Sequence, residues 1–113
     1  MSQDLVAYGR EVDARTAALF KAAPGRMRAF HQLGAEATKD GALDANVKKL
    51  MALAISVALR CEGCVVYHTH AALEKGASRD EVVEAITVAV EMGGGPAAVT
   101  GGQALAAYDQ HAR

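Results

Sequence analysis

The stretch richest in reactive groups is Arg60-Cys61-Glu62-Gly63-Cys64-Val65-Val66-Tyr67-His68, which holds both cysteines of the chain. Where a C-x-x-C pair opens a helix, unpaired backbone N–H groups and the positive end of the helix dipole stabilise a thiolate. They lower the thiol pKa from its free value of about 8.5. The second cysteine can then close a disulfide with the first without large backbone movement. His68 follows Cys64 by four residues, so on a helix the two side chains share a face. An imidazole there can take the thiol proton or pair with the thiolate. Cys61, Cys64 and His68 together supply a nucleophile, a resolving thiol and a base.

Two other readings use the same residues. Cys61, Cys64, His68 and His70 could offer four N/S ligands of the kind zinc prefers. All four would come from one short helical stretch, however, and His70 sits roughly 200° around the helix from His68. Structural zinc sites usually draw on two separate elements, so the expectation is no metal and no cofactor. Alternatively the cysteines are inert and buried. A structural disulfide is a poor explanation, because it would close almost no loop and is disfavoured in a reducing compartment.

The elements that must position these groups read as helices throughout. Pro24-Gly25, Gly41, Gly76 and Gly93-Gly94-Gly95-Pro96 divide the chain into helix-sized pieces. The first, about Asp4 to Ala22, places Leu5, Val12, Leu19 and Phe20 near one face. The second, about Pro24 to Lys39, has Met27, Phe30, Leu33 and Ala37 at helical spacing, with Pro24 suited to a first turn. The third begins at Asp44, a good N-cap, and carries Val47, Leu50, Met51, Ala54, Ile55, Val57 and Ala58. The fourth holds the cysteines and runs to Lys75, with Gly76 in the usual C-terminal position. The third and fourth are either one long helix or two separated by a kink near Arg60 to Gly63, and Gly63 favours the break.

The fifth piece, Asp80 to Met92, is rich in Val, Ile and Thr and so also suits a strand. Its length and the capping box formed by Ser78 and Glu81 favour helix. It is apolar almost all round, which implies cover from another subunit. A last helix from about Ala97 to Tyr108 is rich in small residues. No strand is needed, and the expected fold is an all-α, compact bundle of about six helices in a single domain over residues 1–113.

Composition narrows the functional classes. The chain has 113 residues, a formal net charge of −1 and 51% hydrophobic residues, but only 4% aromatic. Its core must be built from small aliphatic side chains, and part of its stability is expected from subunit association. Lys and Arg are dispersed, which argues against nucleic acid or a membrane surface as partner. No apolar run reaches the roughly 18 to 20 residues of a membrane span. The start Met1-Ser2-Gln3-Asp4 lacks the basic and apolar regions of a signal peptide. A cytoplasmic location is expected.

The run KKLMALAISVALRCEGCVVYHTHAALEKGAS, followed by a helix and MGGGPA, resembles the AhpD-like branch of the carboxymuconolactone decarboxylase family over about Asp44 to Tyr108. The resemblance implies an all-α fold, trimers or hexamers, and thiol-dependent reduction of hydroperoxides. It assigns the attacking thiolate to Cys64, the resolving thiol to Cys61 and a place in the proton relay to His68, with an external dithiol restoring the pair. The long peroxidase members carry a glutamate twelve residues before the first cysteine, where this chain has Lys49. They carry a histidine directly before the second, where this chain has Gly63. Glu62, Glu84 and Glu91 are the carboxylates that could stand in as proton relay, although a solvated or interface charge is the plainer reading of each. The family's decarboxylases act on a lactone and generally lack the paired cysteines. A lyase of that kind and a zinc-stabilised or structural oligomer are the alternatives.

The other polar residues read more plainly. His31 and His111 are expected on the surface, and Tyr67 is expected to pack with its hydroxyl bonded. The glycine run at 93–95 lacks the Lys-Ser/Thr of a phosphate loop.

Overall fold

A computed structural model describes residues 3–113. Met1 and Ser2, which open the stretch read above as unlike a signal peptide, lie outside the described residues. Six helices follow one another: α1 (Leu5–Ala22), α2 (Pro24–Thr38), α3 (Ala45–Ala58), α4 (Glu62–Glu74), α5 (Arg79–Gly93) and α6 (Gly95–His111). There is no strand among the described residues.

Local chemistry starts most of these helices. Asp4 and Asp44 accept from the backbone N–H of Ala7 and Val47, capping α1 and α3. Ser78 and Glu81 form the full capping box of α5, which settles that segment as helix. The glycine run costs less chain than its composition suggests. Gly94 alone, at φ 70°, ends α5 and begins α6, and Pro96 sits in the first turn where its missing N–H is no loss. Helix α6 therefore starts two residues earlier than expected. It also runs on to His111.

Helices α3, α4, α6 and α5 pack side by side in that cyclic order, with α5 against α3 and α6 rather than α4. Their shared core is Leu53, Val57, Val65, Val82, Ile86, Ala89, Ala97, Ala104 and Tyr108. Helix α1 lies against α4 and α6 and is seated by two reciprocal glycine contacts. A Cβ on Gly9 would come within 2.8 Å of Val66 Cγ1, and one on Gly63 within 2.9 Å of Val12 Cγ1. Gly63 is thus a close-packing residue inside α4, not the point of the break.

The break falls at Arg60, whose φ is 58°. The Arg60 N–H donates to Val57 O at 3.0 Å and the Cys61 N–H to Ser56 O at 3.1 Å. That is a Schellman ending with arginine in the position glycine usually fills. The end of α4 follows the same pattern with Gly76 at φ 85°.

Not every apolar face is covered. Helix α2 buries no residue and packs mainly against α1 and α3. Phe30 and Leu33, placed above at helical spacing, are 61% and 67% exposed. On α3, Val47, Met51 and Ile55 are exposed at four-residue intervals, and exposed Leu59 at its C-cap continues the spacing two residues before Cys61. On α5 the core takes Val82, Ile86 and Ala89 and leaves Val88 and Met92 outside.

Candidate active site

The turn at Arg60 sets where the cysteines fall. Because α3 ends there, Cys61 becomes the N-cap of α4, with extended backbone at φ −94° and ψ 99°. Cys64 lies in the first turn. Cys61 Sγ accepts from the Cys64 backbone N–H at 3.3 Å, so the sulfur takes the place an N-cap oxygen normally occupies. It meets one of the orphan donors of the helix N-terminus. The two cysteines are joined as a disulfide, with Cα atoms 5.2 Å apart. Cys61 is half-buried and Cys64 is exposed. Of the two residues, Cys64 is thus the more exposed.

His68 lies one turn further along α4. Its ring is half-buried, and Nδ1 is buried with no hydrogen-bond partner among the described residues. Burial lowers its pKa, and the positive charge of Lys49 on α3 adds to the effect. Both effects favour the neutral imidazole, the form that can accept a proton. Tyr67 meets the His68 ring edge-on, with centroids 5.1 Å apart. Tyr67 is 56% exposed, contrary to the expectation of a packed tyrosine, because the face of α4 that enters the core is Val65, Val66, Thr69 and Ala72.

The carboxylates divide. Glu62 is in the first turn of α4, between the cysteines, and exposed to solvent. Glu84 and Glu91 are exposed on α5, a helix that packs against α3 and α6. No carboxylate contributes to the His68 shift. Lys49 is the residue that sequence reasoning undervalued: read only as the absence of a glutamate, it is a half-buried cation acting on the histidine. Its place one turn before buried Leu53 was the available signal.

His70 turns away from the cysteines. Its Nδ1 lies 3.1 Å from Nδ1 of His111 and its Nε2 is 2.7 Å from Glu74. His111 is accordingly half-buried rather than a surface residue, because α6 continues one turn past Tyr108 and lands on α4. His31 is exposed. No group of three or more His, Cys, Asp or Glu converges as a metal cage among the described residues, so Cys61, Cys64, His68 and His70 do not form one. No helix among the described residues is long and apolar enough to cross a membrane.

The family model of the carboxymuconolactone decarboxylase family matches residues 24–108. The chain belongs to the carboxymuconolactone decarboxylase family. An uncharacterised protein of Cupriavidus necator is 40% identical over 109 residues, covering 96% of each chain. Among solved structures, a family member from Legionella pneumophila superposes with a TM-score of 0.93 at 35% identity, covering 99% of this chain and 100% of that one. A family member from Thermotoga maritima, described as a candidate participant in an antioxidative response, gives 0.76 at 27% identity over 95% and 88% of the two chains. The family includes decarboxylases and AhpD-type enzymes, and in this member a closed Cys61–Cys64 pair stands at the head of α4.

Proposed function

We propose that the protein is a thiol-dependent oxidoreductase that reduces hydroperoxides through a Cys61–Cys64 dithiol/disulfide cycle. One observation carries this reading. The two cysteines lie within bonding distance at a helix N-terminus, with the exposed one four residues ahead of a histidine whose neutral form is favoured.

In the reduced protein His68 takes the thiol proton of Cys64. The thiolate attacks the peroxide ROOH, the O–O bond breaks, and the departing RO⁻ takes the proton back from His68 and leaves as ROH. Cys64 is then a sulfenic acid. The Cys61 thiol condenses with it, releasing water and forming the disulfide. An external dithiol returns the pair to two thiols by exchange and is itself oxidised to a disulfide. No cofactor enters the cycle. The cycle suits a reducing compartment such as the cytoplasm.

The same proposal includes assembly into homotrimers or homohexamers. The ridge of Val47, Met51, Ile55 and Leu59, together with uncovered α2, supports it, since so continuous an exposed apolar surface marks an interface. In sequence the ridge ends two residues before Cys61, so a subunit covering it would lie near the start of α4.

The test is single-turnover oxidation of the reduced protein by hydrogen peroxide and by an organic hydroperoxide, followed by loss of two thiols per chain. Cys64→Ser should remove peroxide-dependent oxidation at Cys61. Full peroxide turnover in that variant overturns the mechanism. A lyase of the family's founding type would instead keep its activity after both thiols are alkylated.

A further inference from the structure

Three consecutive residues end α6 by tying it to three different helices. Asp109 holds Arg79 of α5 through two hydrogen bonds of 2.9 and 3.2 Å. Gln110 accepts the backbone N–H of Leu5 at 2.7 Å and donates to Gln3 O at 2.9 Å, fixing the start of α1. Leu5 packs there with Val66 of α4 and Ala107 of α6 in a small second core. His111 meets His70 of α4, Nδ1 to Nδ1, at 3.1 Å.

Only the third tie depends on protons near neutral pH. Arg79 and Asp109 each hold the other charged, chiefly through their hydrogen bonds, which raise the guanidinium pKa and lower that of the carboxyl. Gln110 does not titrate. The imidazole contact is different, because the gap between the two nitrogens has room for one hydrogen. Glu74 accepts from Nε2 of His70 at 2.7 Å, so neutral His70 presents a lone pair at Nδ1 and takes the Nδ1–H of His111. One added proton is tolerated, since a doubly protonated His70 donates to Glu74 on one side and to His111 on the other.

A second added proton puts a hydrogen on both facing nitrogens. Two N–H bonds of about 1.0 Å each would leave those hydrogens roughly 1.1 Å apart, and the contact becomes repulsive. The same proton charges His111 while its Nε2 is buried with no partner among the described residues, which burial penalises further. The charges that act on His111 are His70 and Glu74 of α4. Burial first and His70 second lower its pKa, and Glu74 opposes them. Asp109 on α6 and Arg79 on α5 are paired with each other, Arg113 acts on Asp109, and Asp4 caps α1.

We propose that the His70–His111 contact is an acid-released latch: the second proton frees the last turn of α6 from α4 and, through Gln110, loosens the start of α1. The opening is local, because the core shared by α3, α4, α5 and α6 does not include this turn. The latch is separate from the thiol cycle and does not depend on it.

Amide hydrogen exchange of the disulfide-closed protein, followed by NMR from pH 8 to pH 5 and corrected for intrinsic exchange, tests this. The reporters are Leu5, whose N–H lies on Gln110, and Ala112, whose N–H lies on Tyr108 O. Both should lose protection by about tenfold toward pH 5, the sign expected when the open form binds protons more readily. Val57 and Val65, fully buried in the core, should keep theirs. Glutamine can face a histidine as donor or acceptor, so His70→Gln should shrink the acid-side loss severalfold. His111→Gln should abolish the pH dependence, whatever its level of protection. Unchanged protection of Leu5 and Ala112 at pH 5 overturns the proposal. So does a loss of equal size at Val57 and Val65, or one that His70→Gln leaves at full size.

Discussion

His68 and His70 are two residues apart on one helix, yet they do different things. His68 is half-buried, has a buried nitrogen with no partner among the described residues, and faces the charge of Lys49. His70 is exposed, with a carboxylate on one nitrogen and a second imidazole at the other. The first lies one turn after Cys64 and, in the proposed cycle, takes its proton. The second is tied into a contact between α4 and α6. Residue type and spacing assigned neither role. What separates them is which side of α4 enters the bundle, and what α3 and α6 place against each side.

Substitution of the two histidines breaks that contrast most sharply. His68→Gln should slow oxidation of the reduced pair by peroxide by about a hundredfold or more, the usual scale for loss of a positioned base. His70→Gln should leave the rate within about twofold. Stopped-flow thiol loss measures both. Equal losses would mean that the histidines act only through the stability of α4.

Acid stability sharpens the same comparison from the side of protonation. His68 and His111 both have pKa values lowered in the folded chain from the ordinary 6.5, chiefly by burial. The unfolded chain therefore binds protons more readily. Stability contributed by the neutral rings is full above that value and is lost as pH falls from 6.5 toward the folded pKa values. Denaturant midpoints measured from pH 8 to pH 5 should fall on the acid side. Lys49→Gln should raise the His68 pKa in an NMR titration and reduce its share of the loss, while leaving His111 unmoved.

The smallest expected effect lies at the turn that sets both histidines in register. Arg60 holds a left-handed φ of 58° at the end of α3, a conformation that costs a non-glycine residue about 1–2 kcal/mol. Part of that is offset, because glycine gives the unfolded chain more freedom. Arg60→Gly should stabilise by about 0.5–1 kcal/mol, read from thermal or denaturant unfolding, without changing thiol reactivity.

That turn also shows where the sequence was readable. The caps at Asp44 and Ser78, Pro24 at a first turn and Gly76 at a helix end are short-range signals, each legible within a few residues. They yielded an all-α chain of six helices and the cysteines at a helix start. The expected break near Arg60 to Gly63 is present, but Gly63 does not make it, because glycine has two uses. Here it admits Val12 of α1 into contact with α4, while Arg60 makes the bend. The pairing of His111 with His70 and the open faces of α2 and α3 were not legible. They depend on which helices meet across the fold, and periodicity says only that a face is apolar. The effect of Lys49 on His68 was hidden for the same reason.

The account depends on one sulfur being ionised at neutral pH in the reduced protein. Thiolate absorbance in the ultraviolet, followed from pH 4 to pH 10 in the wild type and in Cys64→Ser, measures this directly. One thiol should titrate well below the free value of about 8.5, and that transition should vanish in the variant. A Cys64 thiol that stays protonated through pH 8 would contradict the account.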